Sequence, residues 1–108
     1  MQQVLVTGSS AGIGHAIATA LLDAGWQVIG VDRADAVIHH AAYRHRTVDL
    51  TDSAALQAIA QDCSHVDALV HAAGVLRVGK LGELDHAGGE LMWKLHVDAA
   101  SRLADVLI

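Results

Sequence analysis

A chain of 108 residues is long enough for one compact domain, and a composition of 53% hydrophobic and 18% charged residues suits a packed core rather than disorder. The net charge of −5 comes from scattered acids with no basic run, which argues against a nucleic-acid partner. No apolar stretch reaches the ~18 residues needed to cross a bilayer, and no basic-then-apolar leader is expected ahead of the first apolar run.

In chain order, Val4-Leu5-Val6 is predicted as a buried strand. The glycine-rich turn Thr7-Gly8-Ser9-Ser10-Ala11-Gly12-Ile13-Gly14 follows, and then a helix from about Gly12 to Ala24 with Ile13, Ile17 and Leu21 on one face. Gly25 is its natural stop. Val28-Ile29-Gly30-Val31 reads as a second buried strand ended by Asp32, and residues 33–44 show no clean period, as in a loop or short helix. Arg46-Thr47-Val48 is predicted as a short third strand leading to Asp49-Leu50. Asp52 or Ser53 is expected to cap the next helix, where Leu56, Ile59, Ala60 and Cys63 recur at helical spacing. Cys63 is the single cysteine, so no internal disulfide can form and a cytoplasmic setting is the expectation. Asp67-Ala68-Leu69-Val70 is the fourth strand, running into His71-Ala72-Ala73-Gly74. A glycine-rich loop (Gly79, Gly82, Gly88, Gly89) precedes a last helix from about Glu90, with Leu91, Leu95, Ala99 and Leu103 on one face. The helical pattern is still running at Asp105-Val106-Leu107-Ile108 without a stop signal, so a longer protein is expected.

Strands that are continuous apolar runs, alternating with helices, predict an α/β fold: a Rossmann-type, doubly wound parallel sheet of about four strands, forming one domain over 1–108. The first turn carries the strongest chemistry. Gly8 permits a tight turn, Gly12 lets backbone approach a ligand, and Gly14 lets the helix lie against the strand. Helix N–H groups and the positive end of the helix dipole then face the pyrophosphate of a dinucleotide. Ser10 and Ile13 belong to the same turn, and a serine hydroxyl there suits phosphate hydrogen bonding better than nucleophilic catalysis. Asp32 follows Gly14 by 18 positions, where a carboxylate can accept both ribose hydroxyls and repel a 2′-phosphate. The neighbouring Arg33 could hold such a phosphate, but an acid at the strand end itself favours NAD over NADP.

These motifs resemble the short-chain dehydrogenase/reductase family: Thr-Gly-x-x-x-Gly-Ile-Gly, Asp32 after the second strand, Asp49-Leu50 after the third and Ala72-Ala73-Gly74 after the fourth. The resemblance covers the whole chain. It implies an oxidoreductase transferring hydride between a nicotinamide and a hydroxyl, carbonyl or dihydrodiol substrate. It also implies that Asp49 contacts the adenine amine, with Leu50 beside it, and that Ala72, Ala73 and Gly74 line the cofactor cleft. A small-molecule substrate is implied, as is a homo-oligomer (dimer or tetramer) formed through the helix near 90–108. The segment from Ala72 to Gly79 further resembles dehydrogenases that aromatise a dihydroxy-cyclohexadiene carboxylate, the 2,3-dihydro-2,3-dihydroxybenzoate dehydrogenases.

Two positions depart from the family pattern, since His71 and His96 stand where asparagines are usual. The second asparagine helps hold a water in the proton relay, which makes His96 a catalytic candidate; a histidine can offer a donor or acceptor nitrogen in its place. The family's Tyr-x-x-x-Lys pair and its serine are not found. Tyr43 is the only tyrosine, it is expected before the third strand and away from the active site, and position 47 is Thr47. Acid–base-assisted hydride transfer cannot be assembled from these 108 residues, which leaves a non-catalytic nucleotide-binding or subunit-pairing module as the alternative. His39, His40 and His45 match no tight metal-ligand spacing, so no metal is expected. Trp26 and Trp93 read as packing residues.

Overall fold

The computed structural model describes residues 2–75 and 79–107. Within them run β1 (Gln3–Thr7), α1 (Gly12–Asp23), β2 (Gln27–Asp32), β3 (Tyr43–Thr47), α2 (Ser53–Asp62), β4 (Ala68–His71), α3 (His86–Trp93), a π-helical turn (Lys94–Asp98) and α4 (Ala99–Leu107). Leu76, Arg77 and Val78 of the segment resembling the dihydrodiol dehydrogenases lie outside the described residues, as do Met1 and Ile108.

The strands pair in parallel in the order β3-β2-β1-β4, which is the expected Rossmann-type α/β sheet. The two apolar runs of β1 and β2 are buried on both faces, as crossover helices require. One face packs Val4, Val6 and Val28 with Ala18 and Leu22 of α1. The other packs Leu5 and Val31 with Leu56, Ile59 and Cys63 at α2 and with Ala99 and Leu103 of α4. The α2 stripe is the predicted one, and Asp52 caps that helix by accepting from the backbone N–H of Ala54 and Ala55.

Four expectations need correction. The core stripe of α1 is Gly14, Ala18 and Leu22, not Ile13, Ile17 and Leu21; Ile13 is 75% exposed. Small residues face the sheet because α1 starts so close to β1 that larger ones would not fit. The third strand begins at Tyr43 rather than Arg46 and leaves Val48 outside, because as an edge strand it has one covered face and alternates instead of running apolar. Gly88 and Gly89 belong to α3, whose cap Asp85 accepts from the Gly88 N–H at 2.8 Å, so the last helical run starts at His86 rather than Glu90. Trp93 is 62% exposed rather than packed, whereas Trp26 packs beside the α1 core. Among the described residues no helix is long and apolar enough to cross a membrane.

Leu103 joins α4 to α2 with none of its surface exposed. Leu103→Ala is expected to cost about 2–5 kcal/mol in urea denaturation, and Ile13→Ala less than about 0.5 kcal/mol. Equal costs would contradict this division of core and surface.

Candidate functional site

The turn after β1 is built by close approach. Gly8 takes φ +72°, donates its N–H to the Val31 carbonyl at 2.7 Å, and leaves no room for a side chain: a Cβ would stand 2.7 Å from the Ala73 nitrogen. A Cβ on Gly14 would overlap the Gly8 carbonyl. The turn is thereby pressed against both the ends of β1 and β4 and the first residues of α1. Asp52 and Asp85 cap α2 and α3 with their side chains, but α1 starts at Ala11 with no side-chain cap and no acid in its first turn. Its leading N–H groups are therefore left for an anion. Gly12 has φ +57° and nothing within 4 Å of where a Cβ would stand, so backbone rather than side chain forms this rim.

A cleft of about 370 Å³ opens at the C-terminal ends of the strands. Gly8, Asp32, Arg33, Asp49 and Leu50 line one side of it, and Ala72, Ala73 and Gly74 the other. Val48, Leu91 and Leu95 add an apolar wall that suits a flat ring. The Asp32 carboxylate accepts from the Ser10 N–H at 3.0 Å and the Ala34 N–H at 2.9 Å, one on each oxygen. Its remaining lone pairs can meet a ligand's hydroxyls. Asp49 accepts from both the hydroxyl and the N–H of Thr51, which, with the Arg33 guanidinium, hold its carboxyl below the usual range.

The floor depends on Thr7, which is fully buried. Its hydroxyl oxygen accepts from the N–H groups of Ala72 and Ala73, both at 3.1 Å. Its own hydrogen then has one acceptor, His71 Nδ1 at 2.9 Å. That requires the neutral Nε2–H tautomer, and Nε2 donates to the Leu95 carbonyl at 2.6 Å. In a regular α-helix the Ala99 N–H would bond to Leu95. Here it reaches back to Lys94, the i→i+5 pattern of a π-turn, and His71 meets the Leu95 carbonyl instead. One residue further on, His96 Nε2 accepts from the Val75 N–H at 3.0 Å and lies against Gly74.

Most of the residues singled out from the sequence thus meet at one cleft. Others do not present themselves as expected. The Ser10 hydroxyl donates to the Asp35 carbonyl at 2.8 Å and in this arrangement has no hydrogen left for a phosphate. Ser9 is fully buried, its hydroxyl paired with that of Tyr43 at 2.8 Å. Tyr43 is thus not remote from the turn, as expected, but bonded beneath it. The parts played by Thr7, His71, Tyr43 and His45 carry no sequence signal, because their partners lie tens of positions away. Among the described residues no three His, Cys, Asp or Glu side chains gather as metal ligands.

The sequence profile of the short chain dehydrogenase family matches residues 2–105. The 2,3-dihydro-2,3-dihydroxybenzoate dehydrogenase of Escherichia coli is 32% identical over 106 residues, covering 94% of this chain and 42% of that enzyme. The D-threitol dehydrogenase of Mycolicibacterium smegmatis is 36% identical over 93 residues, covering 74% and 36%. A solved short-chain dehydrogenase from Streptomyces avermitilis superposes with a TM-score of 0.89 at 32% identity, over 98% of this chain and 43% of that one. The NADH complex of 4-hydroxyisoleucine dehydrogenase shares the fold at 20% identity, with a TM-score of 0.89, over 99% and 48%. The chain therefore spans less than half the length of these relatives.

Two measurements probe this geometry. His71→Ala leaves the Thr7 hydroxyl and the Leu95 carbonyl without their partner; a loss of about 1–3 kcal/mol is expected in chemical denaturation, and no loss would show the bond to be dispensable. For Asp49 the folded pKa lies below the unfolded one, so its contribution is present above about pH 4 and disappears as the pH falls through the folded value. Asp49→Asn should flatten that acid limb of the stability profile, and an unchanged limb would contradict the Thr51 bonds.

Proposed function

The chain belongs to the short-chain dehydrogenase family, and on that premise we propose that it binds NAD as the cofactor-holding part of an oxidoreductase acting on a small hydroxyl, carbonyl or dihydrodiol substrate. One observation carries the reading: an uncapped helix N-terminus behind a side-chain-free turn shares its cleft with an acid at the tip of the next strand. The first suits a pyrophosphate and the second a ribose. When bound, the nicotinamide supplies or accepts the hydride.

The chain's own residues bind and orient. Backbone N–H groups at Gly12, Ile13 and Gly14 would take the pyrophosphate. Asp32 would accept from the two ribose hydroxyls while its charge disfavours a 2′-phosphate. Arg33, which could oppose that preference, is electrostatically engaged with Asp49. Asp49 and Leu50 would face adenine across the apolar wall, and Ala72, Ala73 and Gly74 would form the floor beneath the rest of the cofactor. With His96 Nε2 accepting from Val75, Nδ1 is the atom through which His96 would hold a water in a proton relay. A full acid–base step draws on a tyrosine and lysine that these 108 residues do not pair: Tyr43, the only tyrosine, is followed four positions later by Thr47. That fact favours, as a second reading, a unit that binds nucleotide without turnover. Exposed Trp93 and Val97, four residues apart, support pairing of two copies along this helix. Retention of dimer mass by Trp93→Glu in sedimentation would count against that pairing.

Calorimetry with NAD and NADP tests the binding reading. Asp32→Ala is expected to weaken NAD by about 10- to 100-fold, the loss of hydrogen bonds to a charged acceptor, and to narrow the preference over NADP. An unchanged preference would remove Asp32 from its role, and no heat with millimolar NAD would sink the reading for this chain. Hydride transfer without acid–base residues supplied from outside the chain would exclude the second reading.

A further inference from the structure

A closed ring of hydrogen bonds surrounds Asp32. Two of its links come from the backbone: Ser10 N–H donates to Asp32 Oδ2 at 3.0 Å, and Ala34 N–H to Oδ1 at 2.9 Å. The Ala34 carbonyl in turn can only accept, and His45 Nε2 donates to it at 2.9 Å. The neutral imidazole therefore presents a bare Nδ1, which accepts from the Tyr43 hydroxyl at 2.9 Å. The Tyr43 oxygen then accepts from Ser9 Oγ at 2.8 Å. The peptide bond from Ser9 to Ser10 closes the ring, and the Ser10 hydroxyl braces it across to the Asp35 carbonyl at 2.8 Å.

The sheet makes this ring possible. Tyr43 and His45 are two apart on β3 and so share a face. Gly30 of β2 lies in register with His45, and a Cβ there would overlap the Tyr43 hydroxyl and come within 2.5 Å of Ser9 Oγ. The missing side chain is what lets β3 reach the turn. Burial raises the Tyr43 phenol above its ordinary value, so the hydroxyl stays neutral and able to donate.

We propose that Tyr43 and His45 are positioning residues that set the NAD-over-NADP preference of this cleft without touching the cofactor. They grip the Ala34 carbonyl while Asp32 grips its N–H, which fixes both the segment after β2 and the direction of the Asp32 carboxylate. With the ring broken, Ala34 and Asp35 are held only at Ser10, Asp32 can turn toward solvent, and Arg33 gains freedom to meet a 2′-phosphate. The inference rests on the dinucleotide reading of the cleft.

The test uses Tyr43→Phe, which keeps the ring's packing and loses the hydroxyl, and His45→Asn, which can still accept from Tyr43 but cannot span to Ala34. Arg44→Ala, on the opposite face of the same strand, serves as control. Hydrogen exchange of the cofactor-free protein should quicken at Ala34 and Asp35 by roughly three- to tenfold in both variants, the effect of losing one ordinary hydrogen bond. The NAD-to-NADP affinity ratio, by calorimetry, should narrow by a similar factor, while the control keeps both readings at wild-type values. A fall in Tm with unchanged exchange, or faster exchange with an unchanged ratio, would overturn the proposal. A wild-type protein that binds neither dinucleotide would overturn this inference and the reading beneath it together, whereas binding that is indifferent to both variants overturns this one alone.

Discussion

Thr7 stands where β1 ends, without access to solvent, and its hydroxyl meets three groups at once. Two backbone N–H groups of the loop after β4 point at its oxygen, and its hydrogen goes to His71. A buried hydroxyl left unpaired would cost about 1–3 kcal/mol, and so would each N–H it serves. The ends of β1 and β4 are consequently held in one arrangement. Gly8 can approach Ala73 so closely because of it, and α1 inherits its starting point from Gly8. The cleft's floor, its anion-facing rim and the placement of the last helical run over its wall all follow from this one satisfied side chain.

The sequence made the layered plan legible because burial on both faces leaves an unmistakable mark. Val4-Leu5-Val6 and Val28-Ile29-Gly30-Val31 had to be central parallel strands, and the α2 stripe from Leu56 to Cys63 had to face them. Edge position erased the same mark from β3, where Tyr43-Arg44-His45-Arg46-Thr47 has only one covered face. Ile13 misled for a different reason: helical spacing reports that residues share a face, not which face turns inward. Small size decided the matter, since only Gly14 and Ala18 fit against the strand ends.

At the site the division falls between what a residue type can do and whom it meets. An acid after the second strand and glycines in the first turn advertise their chemistry by position. Ser9, Tyr43 and His45 advertise nothing, because a ring spanning residues 9 to 45 exists only once the sheet is assembled. Likewise His71 looks like a departure at an asparagine position until its two nitrogens are seen bonding in opposite directions.

The π-turn at Lys94–Asp98 bears on how this helix tolerates changes in length. Residues four apart on an α-helix advance about 40° past a full turn, so an i+4 stripe drifts around the axis. A wider turn takes up less rotation per residue and brings the stripe back, keeping Leu91 and Leu95 at the cleft in line with Ala99 and Leu103 in the core. Deleting one residue here would restore regular α-helical bonding and satisfy the helix locally. It would also swing the whole distal half by about 100°, turning Leu103 away from α2. The segment is thus more permissive of replacement than of insertion or deletion, and its length is under tighter constraint than its lettering.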